Sequence, residues 1–167
     1  GLIAFNQPHG TLRCLNCDDV QFKNIRTIGA GPWADGIGLF SSQNITISDS
    51  FLRTSDDPFS IYNHRWETWG DSRNIVFKDS SVWADIAHGI FIGLHGNTPD
   101  AAYPNPEGIE HVRISNVDIL DEDEDETEYE GAMAITAGDH NLVREVVFDD
   151  IRVERIGAGE TLSAMLA

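Results

Sequence analysis

The sequence predicts an all-β chain wound as a parallel β-helix. One strand-like phrase recurs five times along the 167 residues, and a second recurs between successive copies. Residues at helical spacing are almost absent, with no convincing helix longer than two turns.

The first phrase begins at Asp19-Val20-Gln21-Phe22-Lys23-Asn24-Ile25 and returns as Asn44-Ile45-Thr46-Ile47-Ser48-Asp49-Ser50. It returns again as Asn74-Ile75-Val76-Phe77-Lys78-Asp79-Ser80, His111-Val112-Arg113-Ile114-Ser115-Asn116-Val117 and Glu145-Val146-Val147-Phe148-Asp149-Asp150-Ile151. Each copy sets apolar residues two apart and follows them with a small polar or acidic turn, the pattern of a strand with one buried face. The second phrase is Asp35-Gly36-Ile37-Gly38-Leu39-Phe40, then Asp57-Pro58-Phe59-Ser60-Ile61-Tyr62, then His88-Gly89-Ile90-Phe91-Ile92-Gly93, then Gly131-Ala132-Met133-Ala134-Ile135-Thr136.

Counted at Val20, Ile45, Ile75, Val112 and Val146, the repeat intervals are 25, 30, 37 and 34 residues. A constant strand pair with variable spacing places the insertions in loops. A propeller blade needs four strands in about 40 residues, and a leucine-rich repeat needs its own consensus. A sandwich needs hairpin turns, yet Asn-Gly or Asp-Gly between paired runs is missing. A coil that gives one strand to each of several sheets fits. It stacks Ile37, Phe59, Ile90 and Met133 in one internal ladder, and Val20, Ile45, Ile75, Val112 and Val146 in another. Three insertions, 63–73, 97–108 and the acidic run 121–130, leave the coil beside second-phrase strands and are expected to wall one groove.

Composition narrows the function. Eleven Lys+Arg against 28 Asp+Glu give a formal charge of −17. That excess excludes a grip on nucleic acid, which needs basic groups to neutralise phosphates, and an electrostatic hold on anionic lipid. No apolar run approaches the roughly 20 residues of a membrane span. With no initiator Met and no signal peptide, the N-terminus is expected to be processed, trimmed or lost. Residues 1–167 form a single β-helix domain on this reading, part of a longer solenoid, with the oligomeric state left open.

Chemistry concentrates where carboxylates recur one coil apart. Asp35 opens one second-phrase strand and Asp56-Asp57 the next, and stacked strands lie about 4.8 Å apart. Crowded carboxylates raise at least one pKa, which is the condition for dividing roles between a protonated acid and an ionised base. Glycosidases use such pairs, and inverting ones leave room for a water between them. The alternative is that Asp at strand ends merely closes turns. His88 follows one coil further on.

The succession Ala34-Asp35-Gly36-Ile37, Ser55-Asp56-Asp57 and His88-Gly89-Ile90-Phe91-Ile92-Gly93 resembles family 28 glycoside hydrolases, the polygalacturonase-type β-helices. It also resembles the related dextranase and isopullulanase group of family 49. The resemblance spans roughly residues 18–156 and implies a right-handed, pectin-lyase-like solenoid of roughly five to seven coils. It implies an inverting hydrolase with Asp56 as general acid, Asp35 and Asp57 activating water, and His88 tuning the acids. The family's Asn-Thr-Asp stands here as Trp33-Ala34-Asp35, and its Gly-His-Gly as Ala87-His88-Gly89. Its Arg-Ile-Lys, which grips a uronate carboxylate, falls near Met133-Ala134-Ile135, where no basic residue stands. A neutral glycan, or an acidic sugar bound differently, is therefore the expected substrate.

Tyr62, His64 and Arg65 follow the Asp56-Asp57 strand and are expected at the cleft rim, Arg65 touching a substrate hydroxyl or carboxylate. His95 and Asn97 follow the His88 strand in the same way. Trp66 and Trp69 are expected either to stack on sugar rings or to hold their loop to the coil. Cys14 and Cys17 lack a second ligand pair for zinc, leaving buried thiols or one local disulfide. The acidic run 121–130 lacks the turn glycine of an EF-hand loop, so no cofactor is expected and calcium stays a minor alternative.

The leading expectation is a secreted or periplasmic hydrolase of a polysaccharide or oligosaccharide. The alternatives are a non-catalytic glycan-binding β-helix and a calcium-dependent polysaccharide lyase. Lys23 and Lys78, on first-phrase strands away from the cleft, count against a lyase.

Overall fold

A computed structural model describes residues 1–96, 105–123 and 131–156, together with the backbone of Met165–Leu166. Fourteen strands follow in order: β1 (Leu2–Phe5), β2 (Leu12–Leu15), β3 (Asp18–Lys23), β4 (Ile25–Ile28), β5 (Ile37–Phe40), β6 (Gln43–Ser48) and β7 (Phe51–Thr54), then β8 (Phe59–Tyr62), β9 (Ser72–Ala84), β10 (Ile90–Gly93), β11 (Glu107–Asp121), β12 (Met133–Thr136), β13 (Asn141–Val153) and β14 (Met165–Leu166). Every pairing between them is parallel. The chain is a right-handed parallel β-helix, the hand that parallel crossovers take.

Both expected ladders are present. Val20 pairs with Ile45, Ile45 with Ile75, Ile75 with Val112 and Val112 with Val146. Ile37 pairs with Phe59, Phe59 with Ile90 and Ile90 with Met133. The second-phrase sheet runs β14-β12-β10-β8-β5-β2. Its first described member, Leu12–Leu15, is a further copy of the phrase, since Leu12 stands opposite Ile37 at the same 25-residue interval that separates Val20 from Ile45.

The coil carries one strand more than the paired phrases suggest. After each first phrase the chain bends and continues as a third face, seen as β4 and β7 and as the second halves of β9, β11 and β13. Asn24, Asp49, Asp79, Asn116 and Asp150 stand at these bends with φ between 50° and 57°. Short polar side chains tolerate that left-handed backbone best. A similar column, Asp19, Asn44, Asn74, His111 and Glu145, enters each first phrase at φ of 55–57°. Amide side chains link coil to coil along these columns: Asn44 donates to Asp18, Asn74 to Asn44 and Asn116 to Asp79.

The core is the bore of the solenoid. Ile37, Ile45, Ile47, Phe59, Ile75, Phe77, Ile90 and Ile114 are wholly inaccessible there. At about 1.5–3 kcal/mol for each fully buried aliphatic or aromatic side chain, this stacking dominates the stabilisation. In β5, β8 and β10 every residue is buried, so their outer face is covered too. The cover begins with Phe40, Tyr62, Phe91 and Ala134, which form a second apolar cluster.

Candidate active site

Register decides the geometry of the site. Because Ile37 stands opposite Phe59 and Phe59 opposite Ile90, Asp35, Asp57 and His88 each lie two residues before a paired position on three neighbouring coils. Gly36 permits the close approach at this edge: a Cβ built there would sit 2.1 Å from the Pro58 carbonyl oxygen. Its N–H donates to the Asp57 carbonyl at 2.9 Å, and the Ile37 N–H donates to the Pro58 carbonyl at the same distance.

A cleft of about 650 Å³ opens over this edge, a size that suits a small ligand. Asp35, Asp56, Asp57 and His88 line it together with Tyr62, Arg65 and His95. His9, Arg13, Trp33, Ile86, Ala87, Phe91 and Leu94 complete the wall. Asp57 and His88 are only 6% and 4% exposed, with His88 Nδ1 lying 3.5 Å from Asp57 Oδ1. Tyr62 Oη donates to Asp57 Oδ2 at 3.2 Å, and the Asp57 N–H donates to Asp56 Oδ1 at 2.9 Å. The His88 ring stacks on Phe91 with centroids 5.0 Å apart.

The carboxylates perturb one another as their spacing requires. Burial pushes the Asp35 carboxyl up to about 7, with Asp56 and Asp57 pushing the same way and the Arg13 and Arg65 guanidiniums opposing them. Burial also raises Asp56; the Asp57 charge adds to the rise, while the hydrogen bond from the Asp57 backbone and the charges of His88 and His9 counter it. The Tyr62 hydroxyl is pushed well above its ordinary value by burial and then by the Asp57 and Asp35 charges, so it stays a donor. Burial and the nearby Arg65 charge lower the His95 imidazole. Clustered, perturbed groups in a cleft mark a candidate functional site.

Left-handed backbone also occurs beside the cleft, here at bulky residues. Trp33, Trp66 and Leu94 hold positive φ of 57°, 57° and 64°, a region that bulky side chains rarely adopt. Trp33 and Leu94 line the cleft. Trp66 packs beside it on Phe40, with centroids 5.3 Å apart.

The expected site residues divide. Asp35, Asp56, Asp57, His88, Tyr62, Arg65 and His95 come together in the cleft. His64 does not line it; its ring lies against Trp69 and its N–H donates to Glu107. Trp66, 53% exposed, stands behind Arg65 and Arg13 rather than in the lining. Asn97 lies outside the described residues, as does most of the acidic run 121–130. Lys23 and Lys78 sit in β3 and β9, paired with Asp49 and Asp79. Cys14 and Cys17 are joined in a disulfide beside Arg13.

His9, Arg13 and Trp33 were not anticipated. For Arg13 the signal was present, because the Leu12 to Ile37 interval of 25 residues adds a coil before Asp35. His9 and Trp33 stand in connections with no repeating pattern.

Comparison with known proteins agrees with this architecture. Residues 1–126 match the model of glycosyl hydrolases family 28. Polygalacturonase QRT2 of Arabidopsis thaliana is 27% identical over 152 residues, covering 90% of this chain and 30% of that protein. A polygalacturonase of Gossypium barbadense is 30% identical over 129 residues, covering 76% of this chain and 27% of the relative. The chain thus spans less than a third of the length of these curated relatives. No solved structure matches it. The family match covers the coils that carry Asp35, Asp56-Asp57 and His88, and the chain belongs to glycosyl hydrolase family 28.

Proposed function

We propose that the cleft hydrolyses a glycosidic bond of a polysaccharide or oligosaccharide with inversion. The observation that carries this reading is the stacking of Asp35, Asp56 and Asp57 in one partly desolvated cleft, with Asp35 and Asp56 both holding protons more tightly than ordinary aspartates.

Asp56 is half-buried beside the Asp57 backbone and serves as the general acid that protonates the leaving oxygen. Asp57, fixed by Tyr62 and His88, and Asp35 accept the proton of the attacking water. Binding a sugar and a water between the carboxyls separates their demands, so that one proton resides on the acid while the bases are ionised. His88, with Nδ1 at 3.5 Å from Asp57 Oδ1, helps to hold that carboxylate in position. Proton transfers between carboxyls and water suffice, so the reading calls for no cofactor. The Cys14–Cys17 disulfide supports an oxidising compartment, secreted or periplasmic.

Asp56→Asn should lower turnover of a cleaved polysaccharide by ~10²–10⁴-fold, the usual worth of a positioned proton donor, while the thermal midpoint holds. Reducing-end release on uronic and neutral polysaccharide panels reads this out. Hydrolysis by Asp56→Asn at the wild-type rate would withdraw the assignment. Glycan binding by the wild type without any released ends would make the groove a binding site alone.

A further inference from the structure

Of the large apolar side chains exposed among the described residues, two line the cleft: Trp33, 70% accessible, and Ile86, 61% accessible. Both belong to one row. Counted back from the acid row, Trp33, Ser55 and Ile86 each stand two residues before Asp35, Asp57 and His88 on three successive coils. The Ile86 N–H donates to the Ser55 carbonyl at 3.1 Å, which holds these two abreast. Ser55 is buried between the two apolar positions, and Asp56 follows it directly. The rim therefore reads apolar, small, apolar, one step outside the carboxylates.

The backbone beneath Trp33 is fastened while its ring is not. The Ala34 N–H donates to the Gly31 carbonyl at 3.2 Å, and the Ser55 hydroxyl of the next coil donates to that same oxygen. Ala34 is wholly buried. The Trp33 ring enters none of the aromatic or cation–π contacts among the described residues. Trp66 differs, packing on Phe40 beneath Arg13 and Arg65, and Trp69 lies against His64. Trp33 also holds a φ of 57°, which suits glycine or asparagine better than an indole. A large ring left exposed, without a ring partner and on unfavourable backbone, adds little to the fold. An indole face beside an aliphatic branch can instead cover the C–H face of a sugar ring, and neither side chain brings charge.

We propose that Trp33 and Ile86 form an apolar platform that seats one pyranose ring of the substrate beside Asp56 through its C–H face. The platform responds to the shape of the ring and not to its charge, so it takes acidic and neutral sugars alike. Trp33 is the larger contributor, because its flat face covers more of a ring than the Ile86 branch does. The inference rests on the cleft being the substrate groove.

The test measures binding separately from hydrolysis, by calorimetry in an Asp56→Asn background. The ligands are an oligogalacturonate, its carboxyl-reduced neutral counterpart and a dextran oligomer. Trp33→Ala should weaken every oligomer that binds by ~10-fold and Ile86→Ala by ~3-fold, while Trp33→Phe recovers part of the loss. Trp33→Gly should hold or raise the thermal midpoint, since glycine suits the backbone there. Saturating ligand should shift the tryptophan emission, and that shift should vanish in Trp33→Phe while binding persists. Unchanged affinity in Trp33→Ala, a loss confined to the charged oligomer, or a full emission shift in Trp33→Phe overturns the platform and leaves hydrolysis standing. A midpoint several degrees lower in Trp33→Gly makes Trp33 a structural residue and overturns the platform as well. Binding that depends on Trp33, without any turnover by the wild type, keeps the platform and removes the hydrolase reading. Binding to none of the three oligomers overturns the platform.

Discussion

Asp35 shows how one side chain couples chemistry to stability. Its carboxyl titrates near 3.8 when unfolded and at about 7 in the folded chain. Between those values the folded protein holds a proton that the unfolded chain has released, so this group's contribution to stability falls as pH rises. Ionised Asp35 is therefore a cost at about pH 8 and none at about pH 3. Asp35→Asn should raise the thermal midpoint at the higher pH, by ~2–4 °C for each kcal/mol relieved, and leave it nearly unmoved at the lower one. Calorimetry at both pH values decides this, since a gain of equal size at both would not come from the charge. Asp35 is thus no aid to folding at the higher pH, which fits the catalytic role proposed for it.

At the scale of the element, the 63–71 insertion is ordered by a carboxylate from the next coil. Glu107, buried at the start of β11, accepts the His64 N–H at 3.0 Å and the Gly70 N–H at 2.8 Å, gripping both ends of the loop that carries Arg65 and Trp66. Asp71 returns the grip by accepting the Gly108 N–H at 2.8 Å. Glu107→Ala strands two backbone donors, a loss of ~1–3 kcal/mol for each left without water. Trypsin should then cleave after Arg65 at least several-fold faster than in the wild type, and Glu107→Gln, which keeps one acceptor, should fall between. Unchanged cleavage would mean that the aromatic contacts alone order the loop.

Across the whole molecule, charge works against compaction. A net charge of −17 repels itself, while exposed ion pairs return only ~0–1 kcal/mol each. Salt screens both, and with so large an excess the relief of repulsion should win. Raising NaCl from ~10 mM to ~150 mM, which shortens the screening length to about 8 Å, should raise the thermal midpoint. A falling midpoint would show that the ion-pair rows along the coil, such as Arg113–Asp149 and Arg144–Glu110, carry more than their exposure suggests.

The sequence determined the coil and, through it, the acid triad. A parallel ladder repeats its register at every turn, so residues at matched offsets must stack, and Asp35, Asp56-Asp57 and His88 could be placed together by counting. The αL columns of Asn and Asp were legible as turns, though not as bends that lead into a third face, because one bent strand and two short ones share the same alternation. Tertiary structure alone decided which neighbours the triad would have. Arg65 enters the cleft while adjacent His64 turns toward Trp69, and His9 and Arg13 line it from the preceding coil. Loops have no period to count, and their side chains take whatever direction the buried acceptors and aromatic rings beneath them allow.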